Sequence, residues 1–331
     1  MAASDAPRRP DGASDSPPNV AHAIVRSAVL DRLEARWDRT VTTVVAGAGF
    51  GKSVALGQAM RANRARPRGI EGWASCRAGC ESPERLAASV EAAFGAPGGG
   101  RAAPLSRLYA VFAEQAPLHV SLVLDDVELL PEAGANVLDD LLRRAPSNLH
   151  LVLSGRRLPP LALARFRAAD DMVEIDADAL RFDDAEVAAL AASLRAAPLE
   201  RDLAGWPALV RLALVAPRRS VDEYVWEEVM RALDPADREA LLALCLLGAS
   251  GVEEVEAVTG APFDPDGFCA RVPLVHRVGD RIVAHDLWAP YLDGLGTATQ
   301  IAAVSQRVLD TVAITRCDMA ATSNAVPSAS R

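Results

Sequence analysis

An α/β chain, with a parallel sheet carrying helices on both faces and then two smaller, mainly helical units, is predicted from three observations on this sequence of 331 residues. Five short apolar runs alternate with helical patterns as far as Ile175. Strand-like runs then give way to an Ala/Leu helical period, and near the end several helices are followed by a single hairpin. Apolar runs separated by amphipathic helices are what a buried parallel sheet requires, because each crossover carries a helix over the sheet.

The elements follow in order. The first nineteen residues mix Pro, Ser, Asp and Gly without apolar periodicity and read as a disordered leader. The apolar runs are Val41 to Val45, Gly72 to Ser75, Val120 to Leu124, Leu149 to Ser154 and Met172 to Ile175. Between them lie the amphipathic stretches Glu84 to Phe94 and Ala133 to Arg144, and a glycine-rich break at Gly98 to Gly100. This first domain is expected over residues 20–181.

A helical subdomain, 182–219, opens with Asp183 or Asp184 as cap of a helix through Leu194. Gly205-Trp206-Pro207 breaks the chain before a second helix, Ala208 to Ala216. Over 220–298, Val221 to Leu233 reads as a helix, and Asp234-Pro235 supplies cap and first-turn proline for the helix through Leu247. Val252 to Thr259 is a further helix, and Val275 to Val278, Gly279-Asp280, Arg281 to Ala284 reads as a hairpin. Helices followed by one hairpin imply a winged-helix domain. A terminal helix, Thr299 to Ile314 within 299–316, leads into a tail, 317–331, expected to be mobile.

Composition narrows the function. Half the residues are apolar and a quarter charged, as in a soluble globular protein of two or three domains. The longest apolar run, Ala240 to Ala249, is far short of the roughly eighteen residues that a membrane span needs, so the chain is expected to be cytoplasmic and not to engage a membrane. Five cysteines, Cys76, Cys80, Cys245, Cys269 and Cys317, lack a second Cys/His pair at ligand spacing and are expected as free thiols. The net charge of −9 disfavours broad attraction to nucleic acid.

Lys52 is the only lysine in the chain, and it stands in Ala46-Gly47-Ala48-Gly49-Phe50-Gly51-Lys52-Ser53, directly after the first apolar run. Glycines let successive backbone N–H groups turn toward an anion, and a helix beginning there adds its positive end. The pattern is that of a phosphate-binding loop, or P-loop. Gly47, Gly49 and Gly51 supply backbone freedom and Lys52 charge on the outer phosphates, while the Ser53 hydroxyl is a ligand for Mg2+. Val54, which opens the following helix, is counted with the nucleotide-binding residues. The first motif position is Ala46 rather than glycine.

The third apolar run ends in Asp125-Asp126, where a strand's carboxyl end faces the crevice that would hold the metal. Asp125 is assigned to Mg2+ and Asp126 to polarising the attacking water, with Glu128 a competing base. The fourth run ends in Arg156-Arg157, near a terminal phosphate if that strand neighbours the Asp125 strand. The expected catalytic set is therefore Asp126, Lys52 and Arg156.

The order VVAGAGFGKS, EGWAS, LVLDDVELL, LVLSGRRLPPLALARFR, DALRFDDAE, GWPALVRLAL, VAHDL resembles the STAND-class P-loop ATPases, in particular the MalT-like, LuxR-type large ATP-binding regulators, over about residues 24–298. The resemblance implies further roles. Arg156 would sense the terminal phosphate, Pro207 would pack on adenine, Val25 and Arg26 would lie beside the base, and His285 would contact the ADP β-phosphate. It implies an ATP/ADP switch, resting with ADP, self-associating with ATP and reset by slow hydrolysis.

The family's sensor and helix-turn-helix DNA reader have no evident counterpart in this sequence, so two expectations stand: a truncated or split regulator, or a short relative that works through a partner protein carrying them. Two alternatives are a winged-helix DNA-binding protein and a metabolic phosphotransferase. Against the first, 221–298 holds fifteen acidic and five basic residues. Against the second, no dedicated acceptor pocket is evident between the motifs.

Overall fold

The computed structural model describes residues 16–20, 23–76, 80, 82–96, 101–199, 202–215, 218–231 and 233–323. The leader before residue 16, the Gly98 to Gly100 break, the chain from 324 and the Cys317 side chain lie outside them. The chain divides into two compact units. One comprises residues up to Ala46 with Gly51–Leu180; the other comprises Gly47–Phe50 with Arg181 onward.

In the first unit, strands β1 (Val41–Val45), β2 (Ile70–Ser75), β3 (Val120–Asp125), β4 (Leu149–Gly155) and β5 (Met172–Ile175) form one parallel sheet in the order β2-β3-β4-β1-β5. β2 starts at Ile70, ahead of the expected Gly72, since Ile70 already pairs with Val120. β4 lies between β3 and β1, which meets the condition on which the Arg156 expectation rested.

The helices are α1 (Ser27–Glu34), α2 (Lys52–Ala65), α3 (Pro83–Ala93), α4 (Pro104–Glu114), α5 (Glu132–Arg143) and α6 (Ala164–Ala168). Alternation along the central strands builds the layers. Leu122, Leu124, Leu151 and Leu153 pack with Leu86 and Val90 of α3, Phe112 of α4 and Leu138 of α5. The residues between them face the other way, where α1 and α2 pack on each other and against β5 and β4. α3 is held at its start by Ser82, whose hydroxyl accepts from Arg85 N–H ahead of first-turn Pro83.

At the amino end of this sheet, buried polar groups pair with one another. Arg36, 1% exposed, donates to Glu71 at 2.8 Å, and Asn63 donates to the other Glu71 oxygen at 3.0 Å. His150 Nδ1 lies 2.7 Å from the Arg39 carbonyl, which can only accept, so Nδ1 carries the proton. His150 Nε2 is then the acceptor of the 2.8 Å bond from His119 Nδ1–H. Burial, and secondarily the neighbouring His119, hold the His150 pKa below the usual histidine range, although the Arg39 carbonyl pulls the other way.

The second unit holds α7 (Asp184–Leu194), α8 (Pro207–Val215), α9 (Arg218–Val225), α10 (Pro235–Leu247), α11 (Val252–Thr259), α12 (Pro265–Arg271), the antiparallel hairpin β6 (Val275–Val278) and β7 (Arg281–Ala284), and α13 (Ala298–Ser323). Asp183 makes a reciprocal capping box with Glu186. Asp234 caps α10 through Asp237 N–H, and Gly279 takes the positive φ of the hairpin turn.

Three expectations are corrected. The helix expected over Val221 to Leu233 becomes α9 followed by a wider π turn, Trp226–Met230. α12 was not foreseen, although Asp264-Pro265 repeats the start signal of Asp234-Pro235. The last helix continues to Ser323, into the segment expected to be a mobile tail. Among the described residues no helix is long and apolar enough to cross a membrane. Cys76, Cys80, Cys245 and Cys269 are free thiols.

Candidate functional site

The carboxyl end of the sheet in the first unit gathers the charged groups singled out in the sequence. β1 delivers the chain to Ala46, and α2 begins at Lys52, preceded by Gly51 at φ 80°. That left-handed residue turns the chain from loop into helix without a Cβ penalty. Lys52 Nζ donates to the Ala46 carbonyl at 2.7 Å, so the ammonium folds back over its own loop. Burial holds this ammonium below the ordinary lysine range, and the attraction of Glu128, then of Asp125, opposes the shift. Ser53 and Val54 fall in the first turn of α2.

The Ser53 hydroxyl donates to Asp125 Oδ2 at 2.7 Å, while the other carboxylate oxygen, Oδ1, is buried without a hydrogen-bond partner among the described residues. An unsatisfied buried carboxylate oxygen costs free energy that a stabilising role would not require. A hydroxyl and a carboxylate side by side are also what Mg2+ takes from a protein, since it keeps most of its remaining ligands as water. The residues present therefore fit the cation. Among the described residues there is no cluster of three or more His, Cys, Asp or Glu side chains that could hold a metal unaided.

Two further acids leave β3 in different directions. Asp126 sits at φ 57°, and its carboxylate is 3.5 Å from the Ser75 hydroxyl at the end of β2. Glu128 belongs to the single helical turn Val127–Leu129 and has a buried Oε2 without a hydrogen-bond partner. A Cβ added to Gly155 would stand 2.3 Å from that oxygen, so only glycine permits the approach. Arg156 follows directly, half-buried, and Arg157 is exposed. Arg26 is buried and donates to the Leu180 carbonyl at 3.0 Å, whereas Val25 is three-quarters exposed.

In the second unit, Gly47–Phe50 pack with the Gly205-Trp206-Pro207 turn. The rings of Phe50 and Trp206 stack at 5.4 Å, and both side chains are fully buried. Trp206 Nε1 donates to the Ala48 carbonyl and Ala208 N–H to the Gly49 carbonyl, each at 3.0 Å. Gly49, at φ 72°, has no room for a Cβ, which would fall 2.3 Å from the Tyr224 hydroxyl. A Cβ added to Gly47 would meet Pro273 at 3.4 Å, an ordinary van der Waals contact.

Pro207 is buried as the first residue of α8. His285 caps the 3-10 segment Asp286–Gly294, its Nδ1 accepting from Leu287 N–H at 3.0 Å, which leaves the ring proton on Nε2. Nε2 lies 3.8 Å from Asp202 Oδ2, too far for a hydrogen bond.

No protein-family model matches the chain. It is 26% identical over 286 residues to the HTH-type transcriptional regulator MalT of Cronobacter sakazakii, a match covering 74% of this chain and 31% of that protein. The chain thus spans about a third of the length of this relative. A Walker-type ATPase of Pyrococcus abyssi matches with a TM-score of 0.53 and 15% identity over 81% of this chain and 95% of its own. A signal transduction ATPase with numerous domains (STAND), with a tetratricopeptide repeat sensor, from Pyrococcus horikoshii matches with a TM-score of 0.43 and 16% identity, over 91% of this chain and 47% of its own.

The chain is thus similar in sequence to MalT and has the fold of a Walker-type ATPase, in keeping with the resemblance to STAND-class ATPases seen in the sequence. The spacing of Lys52, Ser53 and Asp125 was the legible part. Sequence reasoning missed the stacking of Phe50 on Trp206 and the seating of Glu128 over Gly155. A fully apolar ring inside a glycine loop was the signal for the first. The second had none, because it depends on which strand lies beside β3.

Proposed function

We propose that the chain is an ATP- and ADP-binding switch of the transcriptional-regulator type. The observation that carries this reading is the Ser53–Asp125 pair at 2.7 Å, with an Asp125 oxygen unpartnered among the described residues, Ser53 directly following the sole lysine. Backbone N–H groups of the loop, with Gly47, Gly49 and Gly51 giving the freedom to turn them, and Lys52 hold the phosphates. Ser53 and Asp125 hold Mg2+, which when bound neutralises phosphate charge. Arg156 reads the terminal phosphate from the end of β4. Arg26, Pro207 and His285 belong to the nucleotide contacts implied by the resemblance, His285 through its remaining Nε2–H.

MalT bears the name of an HTH-type transcriptional regulator, and its homology over 286 residues supports a regulatory role over a metabolic one. The element order α10, α11, α12, β6, β7 supports the winged-helix reading of 220–298, with the helical subdomain at 182–219 and the nucleotide-binding domain at 20–181. In this reading hydrolysis is slow and resets the state, and the ATP form self-associates in the cytoplasm. The test is to purify the chain, denature it and identify the released nucleotide, then measure ATP and ADP binding by the stripped protein. We expect close to one ADP per chain, and Lys52→Ala to lose it. An empty chain that binds neither nucleotide, or a Lys52→Ala variant indistinguishable from the parent, would sink the reading.

A further inference from the structure

We propose that Glu128, and not Asp126, is the residue that polarises the water attacking the terminal phosphate; this rests on the nucleotide-binding reading above. The sheet order decides between the two acids. Asp126 turns back to Ser75 at the end of β2, the edge strand, whereas the Glu128 carboxylate lies against Gly155 at the end of β4. Gly155 pairs with Val45, the last residue of β1 before the phosphate loop. Neighbouring strands are about 4.8 Å apart, so Glu128, lying against the end of β4, sits about one spacing from the loop strand, whereas Asp126 leaves β3, two spacings away, with its carboxylate toward β2 on the far side. A general base must come within about 2.6–3.2 Å of the proton it takes, or act through one water. On this sheet order Glu128 is the better placed of the two.

Glu128 is also prepared for a reactive partner. Its Oε2 is buried with no hydrogen bond among the described residues, and the missing side chain of Gly155 is what admits it. As the water oxygen bonds to the terminal phosphorus, the bond to the bridging oxygen breaks and its electron pair leaves with ADP. Glu128 accepts the proton of that water and later returns it to solvent.

The experiment compares Glu128→Gln, Asp126→Asn and Gly155→Ala in the full chain, measuring single-turnover ATP hydrolysis and, separately, equilibrium binding of fluorescent ATP and ADP analogues. Glu128→Gln should slow hydrolysis about 100-fold, the usual scale of a lost general base, with ATP affinity within about threefold of the parent. Asp126→Asn should stay within about threefold in both. Gly155→Ala, whose methyl would displace the carboxylate, should also lose hydrolysis while still binding ATP.

If Asp126→Asn loses as much hydrolysis as Glu128→Gln, the proposal falls. It falls equally if Glu128→Gln alters affinity alone, which would make Glu128 merely a counter-ion of Lys52. A parent that binds ATP without hydrolysing it overturns the role of Glu128 and leaves the nucleotide switch standing. Failure to bind any nucleotide overturns both.

Discussion

The two ends of the five-stranded sheet both bury polar side chains, but they use them differently. At the amino end Arg36, Glu71, Asn63, His119 and His150 are joined to one another or to backbone carbonyls. At the carboxyl end Asp125 Oδ1 and Glu128 Oε2 have no hydrogen-bond partner among the described residues, and the Lys52 ammonium donates to the Ala46 carbonyl of its own loop. Buried polar groups that stabilise are paired, because the desolvation of an unpaired one exceeds what a typical hydrogen bond returns. Trp37 Nε1, Thr42 Oγ1 and Ser121 Oγ are unpaired toward the amino end as well, but among the described residues the unpaired carboxylate oxygens lie only at the carboxyl end, where a cation or a proton donor could complete their pairing.

Breaking the paired end should have the largest effect. Glu71→Ala leaves the Arg36 guanidinium, 1% exposed, with only the half-exposed Glu34 carboxylate at 3.6 Å. The expected cost is about 3 kcal/mol, the low end of the usual penalty for breaking a buried ion pair, read as a lower urea midpoint. A loss below about 1 kcal/mol would remove the contrast between the two ends.

The carboxyl end should answer in the opposite way. Asp125→Asn is expected to change stability by less than about 1 kcal/mol, because one of its oxygens is already unsatisfied. Mg2+-dependent ATP affinity should fall at least about tenfold, or about 1.4 kcal/mol. Thermal unfolding without nucleotide and titration with a fluorescent ATP analogue separate the two quantities. A large stability loss would make Asp125 structural.

The smallest effect is a pH dependence at the paired end. The His150 pKa is lowered in the folded state, mainly by burial, so between that value and about 6.5 the unfolded chain binds more protons. Stability therefore rises with pH through this window and is lost as pH falls through it, when His150 Nε2 must take a proton where it now accepts one. His150→Asn should flatten the slope of the urea midpoint between about pH 5 and pH 7 relative to the parent. An unchanged slope would show that His150 contributes nothing to it.

The sheet was legible because its strands are continuous apolar runs closed by turn residues, and β1, β3 and β4 lie where those runs lie. The juxtaposition of Ser53 with Asp125 was legible because the loop pattern fixes Lys52 and Ser53 by spacing, and because a strand end fixes Asp125. What the sequence did not carry was lateral order. The position of β4 between β3 and β1 separates the surroundings of Asp126 from those of Glu128, and adjacent letters cannot report a neighbour strand. The π turn at Trp226–Met230 was hidden for a different reason, since its residues continue an ordinary helical period.

The stacking of Phe50 on Trp206 bears on how the protein can be dissected. A fragment starting at Arg181 would contain the whole second run of helices and yet lack Gly47–Phe50, which pack with it. Its Trp206 indole, fully buried in the intact chain, would lose both the ring it stacks on and the Ala48 carbonyl that accepts from Nε1. Such a fragment would present a bare tryptophan to solvent, and a short peptide spanning the loop, added in trans, would be the natural filler of that gap.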